Sequence, residues 1–238
     1  MASAPALLVI ASAWDEDARA FVARHADAGA ILLEPRDMSR TGWRFRLDDP
    51  AAAAVVADER RFRLDDARGV LMRLAAVTEG DLAHIHPEDQ AFVAAELSAF
   101  LLALLTQANV PVVNRPTPQC LCGPAWSDAR WRKAAAGLGL PVQPLQWRAT
   151  NGGDPGVEEQ ALLTVAVVGD ACFGAGGDRL ACACRALAKR ADAEMLTVEF
   201  DGSPQVPLFL RARPHVDLGD PHIAAAVLRR FSIPEPRS

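Results

Sequence analysis

The 238-residue sequence predicts an α/β N-terminal domain built on a parallel sheet, followed by an α+β C-terminal part. Three observations predict it. Leu7 to Ala11 and Ala30 to Leu33 are short continuous apolar runs, the pattern of strands covered on both faces, with a helical stretch between them. Residues 149–160, "ATNGGDPGVEEQ", are dense in Gly, Asn, Asp and Pro and read as a linker. Beyond the linker, strand-like and helical stretches mix without the regular strand–helix alternation of the first half.

In chain order, Asp15-Glu16-Asp17 suit the positive start of a helix that turns Ala18, Phe21 and Val22 inward. Strand, helix and strand at this spacing imply a parallel crossover. "RFRLDD" occurs at residues 44–49 and again at 61–66, each copy alternating Arg outward with Phe or Leu inward, which predicts two matched, half-buried strands. Gly69 to Leu74 reads as a further buried strand, and Pro87 opens a helix through Phe92, Glu96, Phe100 and Leu104. Val110 to Pro116 closes this half as a short strand and turn, and Trp131 to Leu138 reads as a helix ended by glycines. After the linker come strands at Leu162 to Val168, Met195 to Phe200 and Leu208 to Arg213, and helices at Leu180 to Ala191 and Ile223 to Phe231. The expected division is 1–118, an α/β domain; 119–160, a helix and Gly-rich linker; and 161–238, an α+β part.

Half of the residues are of apolar type, enough for a substantial core. Thirty acidic against 25 basic residues leave a formal charge of −5, which argues against broad nucleic-acid binding, because phosphate contacts need a clustered basic face. The first residues lack the basic start of a signal peptide, and no apolar run is read as long enough to cross a bilayer, so a cytoplasmic location without membrane partners is expected. Five cysteines, an odd number, suit reduced thiols better than a disulfide framework.

Four of the cysteines form two Cys-x-Cys pairs, Cys120 with Cys122 and Cys182 with Cys184. The second pair lies in a predicted helix, where residues two apart point to nearly opposite sides, and neither pair has the gap usual in structural zinc sites, so free thiols are the preferred reading. His84 and His86 share a face if extended, yet Pro87 places His86 at a helix entrance, which favours a solvated loop. The glycines at 174, 176 and 177 match neither phosphate-loop nor dinucleotide spacing and read as a tight turn. In "PLFLRARPHVDLGD", residues 207–220, strand alternation sends Arg211 and Arg213 to one face and Leu210 and Ala212 to the other, so two cations share a patch.

Across most of the chain, "VLMR" at 70–73, "FVAAELSAFLLALL" at 92–105, "VVNRP" at 112–116, "AAAGLGLPV" at 134–142 and "LLTVAVVGDACFGA" at 162–175 follow one another in the order of a known family. They resemble the ATP-grasp ligases, in particular relatives of the ribosomal-protein glutamate ligases and of the maturases that crosslink ribosomally made peptides. The resemblance implies a pre-ATP-grasp-like first domain and an ATP-grasp remnant at the end. It also implies ATP-dependent activation of a carboxylate, magnesium included, before attack by an amine. "FLRARP" at 209–214 falls where the family writes Phe-Leu-Glu-Ile-Asn-Pro, so the two magnesium ligands land on Arg211 and Arg213, which cannot coordinate a cation. The family's arginine before the "VVGD" turn falls near Thr164, and Glu199 retains one acidic position. Only about twenty residues stand where a lid over ATP would lie.

These departures lead to an expectation of a degenerate, truncated ATP-grasp-like protein without the lid, non-catalytic, needing neither ATP nor magnesium, and acting as accessory or scaffold beside a ligase or in a homodimer. Two other readings stay open: a carboxylate–amine ligase completed by a partner chain, using ATP and magnesium, and a sensor of a small anionic ligand using Arg73, Arg211 and Arg213. At the arginine patch itself, an anion held by a guanidinium pair and plain surface salt bridges to Asp217 or Asp220 are weighed equally.

Overall fold

In the computed structural model, which describes residues 5–143, 163–203 and 206–234, the chain divides into two units, Met1–Ala125 with Asp217–Ser238, and Trp126–Val216. Its elements are β1 (Leu7–Ile10), α1 (Glu16–Arg24), β2 (Ala30–Leu33), β3 (Ala54–Ala57), β4 (Arg60–Arg63), β5 (Val70–Met72), α2 (Pro87–Thr106), β6 (Val112–Val113), α3 (Asp128–Ala136), β7 (Leu163–Val168), β8 (Ala171–Phe173), α4 (Gly177–Arg190), β9 (Met195–Phe200), β10 (Phe209–Arg213) and α5 (Pro221–Arg230). The linker expected at 149–160, and with it the region where a shortened lid was expected, lies outside the described residues.

The first unit is built on a parallel sheet of order β2-β1-β5-β6. All four side chains of β1 are buried, as its unbroken apolar run requires of a strand covered on both faces. Asp15 caps α1 by accepting from the Ala18 N–H at 2.9 Å, and Phe21, fully buried, anchors the helix; its burial contributes about 1.5–3 kcal/mol. Leu8, Ile10, Val70, Met72, Leu82 and Leu101 meet in one core cluster, with Phe100 of α2 in edge contact with Trp43 and Phe45.

Two expectations change here. Only the second "RFRLDD" copy forms a strand, β4, with Phe62 and Leu64 buried and β3 as its partner, whereas the first copy contributes a single bridge, Arg44 to Ala54. The run Ala53 to Ala57 wins because Ala53, Val55 and Ala57 all enter the core, whereas Leu47 of the first copy stays 75% exposed. The 20-residue helix α2 is also long and apolar enough to cross a bilayer by length and composition, contrary to the reading of no such run. Glu96 interrupts its apolar stretch in the sequence without lowering the average enough; within the unit, α2 buries Ala94, Leu101, Leu104 and Leu105.

The second unit is an antiparallel sheet of order β10-β9-β7-β8 whose core joins Val165, Val167, Leu196 and Val198 to Trp131 of α3 and Leu187 of α4. β7 and β8 form a hairpin that turns at Gly169 with φ +57°, and the glycines read as a tight turn, 174, 176 and 177, follow it between β8 and the start of α4. The next turn brings Gly174 against β7, where a Cβ would stand 2.2 Å from the Thr164 carbonyl oxygen, so only glycine closes it.

Two stability outcomes are expected. Phe231, just after α5, packs so closely on Gly69 before β5 that a Cβ there would meet its ring at 2.2 Å. Gly69→Ala is expected to destabilise the first unit by about 1–3 kcal/mol in denaturant unfolding, with Phe231→Leu in the same chain restoring part of the loss. In the second unit, the Asp201 carboxylate accepts from Leu208 N, Ser203 N and Ser203 Oγ at 2.8–3.0 Å and ties the end of β9 to the start of β10. The hydrogen bond from Leu208, helped by those from Ser203, holds its carboxyl below the ordinary value of 3.8. A depressed carboxylate stabilises the fold at higher pH and loses that contribution as pH falls through its folded value. The melting-temperature deficit of Asp201→Asn is therefore expected to be full near neutral pH and to shrink as the pH drops below 3.8.

Candidate functional site

On β9, alternate side chains part to the two faces of the sheet. Leu196, Val198 and Phe200 join the helix-side core, which leaves Thr197 and Glu199 on the other face. β10 lies antiparallel beside it, with Arg211 opposite Glu199 and Arg213 opposite Thr197; on the other side, Thr164 of β7 stands opposite Glu199. Simple alternation would put Phe209 on the face of Arg211. Instead the register shifts between Phe209 and Arg211, and the core receives Phe209 and Ala212, three residues apart. This irregularity lets a buried phenylalanine and two exposed arginines follow one another on one strand.

The result is a compact charge cluster. Glu199, its side chain 10% exposed, receives Arg211 Nε at 2.5 Å on Oε2 and Arg213 Nε at 3.5 Å on Oε1. A carboxylate so sheltered from water must be paired, and here both oxygens face guanidinium groups. The arginines are 47% and 44% exposed, so solvent reaches the outer edges of both. Beside them Thr197 Oγ1 donates to the His215 carbonyl oxygen at 2.6 Å. Of the residues singled out in the sequence, Arg211, Arg213 and Glu199 are thus brought together. Their partner is Glu199, while Asp217 accepts from Gly219 N and Asp220 caps α5 through His222 N and Ile223 N.

Arg73 belongs to the other unit. Directly after β5, it lays Nε and one terminal nitrogen on Asp15 Oδ2 and Oδ1 at 2.7 and 3.2 Å, a bidentate pair with side chains only 7% and 18% exposed. Asp15 thereby serves both as the cap of α1 and as the anchor of Arg73, a double role that sequence reading missed. The only available signal was its place at the head of the Asp15-Glu16-Asp17 run.

Other candidates resolve more simply. His84 Nε2 lies 2.9 Å from Ser39 Oγ, and His86 is the residue before α2. Cys182 and Cys184, on α4, are exposed and buried respectively, and burial pushes the Cys184 thiol up to about 12. Among the described residues no three His, Cys, Asp or Glu side chains converge as a cation would require. The helix side of the second unit carries an apolar depression of about 660 Å³ lined by Leu138, Leu140, Pro141, Leu180 and Val206, away from the Glu199 face.

No family model matches the sequence, and neither does any curated protein. Solved structures do. The macrocyclase MdnC from Microcystis aeruginosa MRC, bound with precursor peptide MdnA, matches with TM-score 0.68 at 12% identity over 96% of this chain and 99% of that one. The ATP-grasp ligase PsnB, complexed with a phosphomimetic variant of its minimal precursor, Mg and ADP, matches with 0.67 at 11% identity over 96% and 99%. A RiPP-associated ATP-grasp ligase of Chryseobacterium gregarium, in complex with ADP and a leader and core peptide, matches with 0.66 at 10% identity over 97% of each chain.

The ADP and magnesium held by PsnB overturn the expectation that this fold comes here with no cofactor at all; that expectation generalised two substituted ligand positions to the whole nucleotide site. As placed, the Glu199 face itself does not fit a magnesium ion, since its one carboxylate is already engaged by two fixed cations. Mixed α/β architecture, a parallel sheet in one unit and an antiparallel sheet in the other, and superposition on three such ligases together establish an ATP-grasp-like fold for this chain.

Proposed function

We propose that the protein is a ligase-related, non-catalytic member of a peptide-maturation system, an accessory or scaffold that engages a precursor peptide or a partner protein, a second copy of itself included. The observation that carries the reading is the pairing of Glu199 with Arg211 and Arg213. Acyl-phosphate formation concentrates negative charge at the transferring group, and a divalent ion held by oxygen donors offsets it. Guanidinium groups donate hydrogen bonds and accept none, so on this face they cannot organise such an ion. The peptide side of the proposal is supported by the similar structures, which hold precursor, leader or core peptides.

A second reading, an active ATP-dependent carboxylate–amine ligase, is favoured by the ADP and magnesium seen in PsnB. Phosphate release from ATP separates the two. With magnesium and pooled carboxylate- and amine-bearing precursor peptides, turnover is expected to stay at background while a similar ligase assayed in parallel turns over. Peptide-dependent release at a rate near that ligase's ends the non-catalytic reading. The third reading, an anion sensor, faces a competition: any anion at Arg211 and Arg213 must displace or share with Glu199, and Arg73 is committed to Asp15.

Exchanging the cations for oxygen donors tests the electrostatic argument directly. The double variant Arg211→Glu, Arg213→Asn places a second carboxylate against Glu199, which repels it without a counter-ion. Its melting temperature is expected to fall by several degrees in chelator and to recover with millimolar magnesium, a response larger than that of the unsubstituted chain. Equal responses of the two proteins would show that this face has no bearing on divalent ions.

A further inference from the structure

The first unit also holds a pair of thiols close together. Cys120-Leu121-Cys122 lies in the loop after β6, clamped from both sides. Thr117 and Cys120 exchange backbone hydrogen bonds at 2.8 and 3.1 Å, and Thr117 Oγ1 adds bonds to the Cys120 and Gly123 carbonyl oxygens at 3.2 and 3.1 Å. Leu121 N donates to the Ala75 carbonyl oxygen at 2.8 Å, and its side chain, 3% exposed, enters the core. With Leu121 fixed inward, its two neighbours turn to the same side, and their sulfurs stand 3.5 Å apart as free thiols. Cys122 is 5% exposed, whereas Cys120 is only half-buried.

We propose that Cys120 and Cys122 form a thiol–disulfide exchange site whose substrate is a low-molecular-weight disulfide of the glutathione type. Cys120, the accessible member, attacks one sulfur of the incoming disulfide as its thiolate. The S–S bond breaks, one thiolate leaves with the electron pair and takes a proton from water, and a mixed disulfide stays on Cys120. Cys122 then gives its proton to solvent and attacks the Cys120 sulfur, expelling the second thiolate. Two electrons pass from the protein to the small disulfide, two small thiols are released, and Cys120–Cys122 is left bonded. Bond formation at about 2.05 Å asks the sulfurs, now 3.5 Å apart, to approach by about 1.5 Å.

The local electrostatics suit this order of events. The hydrogen bond from Cys122 lowers the Cys120 thiol below its ordinary value, against a smaller opposing effect of burial, so Cys120 is the first to ionise. The same hydrogen bond, together with burial, raises Cys122, which keeps it protonated as donor, while the positive charge of Arg73 acts on it in the other direction. Once Cys120 is consumed in the mixed disulfide, that hydrogen bond is gone, and Arg73 remains to favour the Cys122 thiolate.

The experiment treats the folded full-length protein with oxidised glutathione, quenches with an alkylating agent, and maps peptides by mass. Expected is a Cys120–Cys122 linkage with loss of about two hydrogen masses, formed at least about tenfold faster than glutathione adds to exposed Cys182. Cys122→Ser is expected to trap glutathione on Cys120, and dithiothreitol to reverse both products. A lasting mixed disulfide on Cys120 of the unsubstituted protein, or reaction at Cys182 with no Cys120–Cys122 linkage, overturns the proposal. Because the decisive map is made on the unsubstituted chain, it stands even if a serine variant fails to fold.

Discussion

The second unit depends on the burial of one carboxylate. A side chain as sheltered as that of Glu199 costs several kcal/mol if left charged and alone, so whatever lies opposite it in the sheet must supply positive charge or protons to share. β10 supplies two arginines, and the shift in register beside Phe209 is what aims both at the same carboxylate while that ring stays in the core. Removing either arginine would leave Glu199 partly uncompensated; removing Glu199 would leave two like charges at neighbouring positions of one strand face. The three residues therefore act as a unit, and their individual contributions are not additive. Because the arginines are nearly half exposed, the strength of the cluster is set by the sheltered carboxylate rather than by the guanidinium groups.

Much of this architecture is legible in the residues alone. The unbroken apolar runs of β1 and β2 announce strands covered on both faces, and Asp15 and Pro87 mark helix starts where helices begin. What misleads is repetition and local brevity. The two "RFRLDD" copies are identical in sequence, so propensity treats them alike; only burial separates them, and burial is decided by the neighbouring run at 53–57, whose alanines carry little signal of their own. β8 was missed because three residues after a two-residue turn are too short for any periodicity to register.

The candidate site divides in the same way. That Arg211 and Arg213 share a face follows from alternation, and Glu199 was visible as an acidic position on a nearby strand. Their contact was not, because it requires the β9–β10 register, which depends on the Asp201 loop and on the irregularity after Phe209. The pairing of Arg73 with Asp15, 58 positions earlier, is likewise a product of the β1–β5 neighbourhood in the parallel sheet, a non-local contact that no short motif encodes. Cys120 and Cys122 stand out in the sequence only as a spacing; that their sulfurs face each other depends on the bond between Leu121 and Ala75.

A guanidinium pair is not an equivalent of the metal it stands beside in the family pattern. A divalent ion is exchangeable: it arrives with a nucleotide, bridges oxygens from both sides, and its occupancy follows concentration. Arg211 and Arg213 are covalently fixed and can present only N–H donors. They make the face permanently cationic toward solvent and permanently satisfied toward Glu199. Under the reading proposed above, such a surface would serve recognition rather than activation, because recognition needs a stable complementary charge, whereas activation needs charge that follows the reacting group through its transition state. The sheet that positions these side chains belongs to an ATP-grasp-like fold, and the identity of the side chains decides what this face can hold.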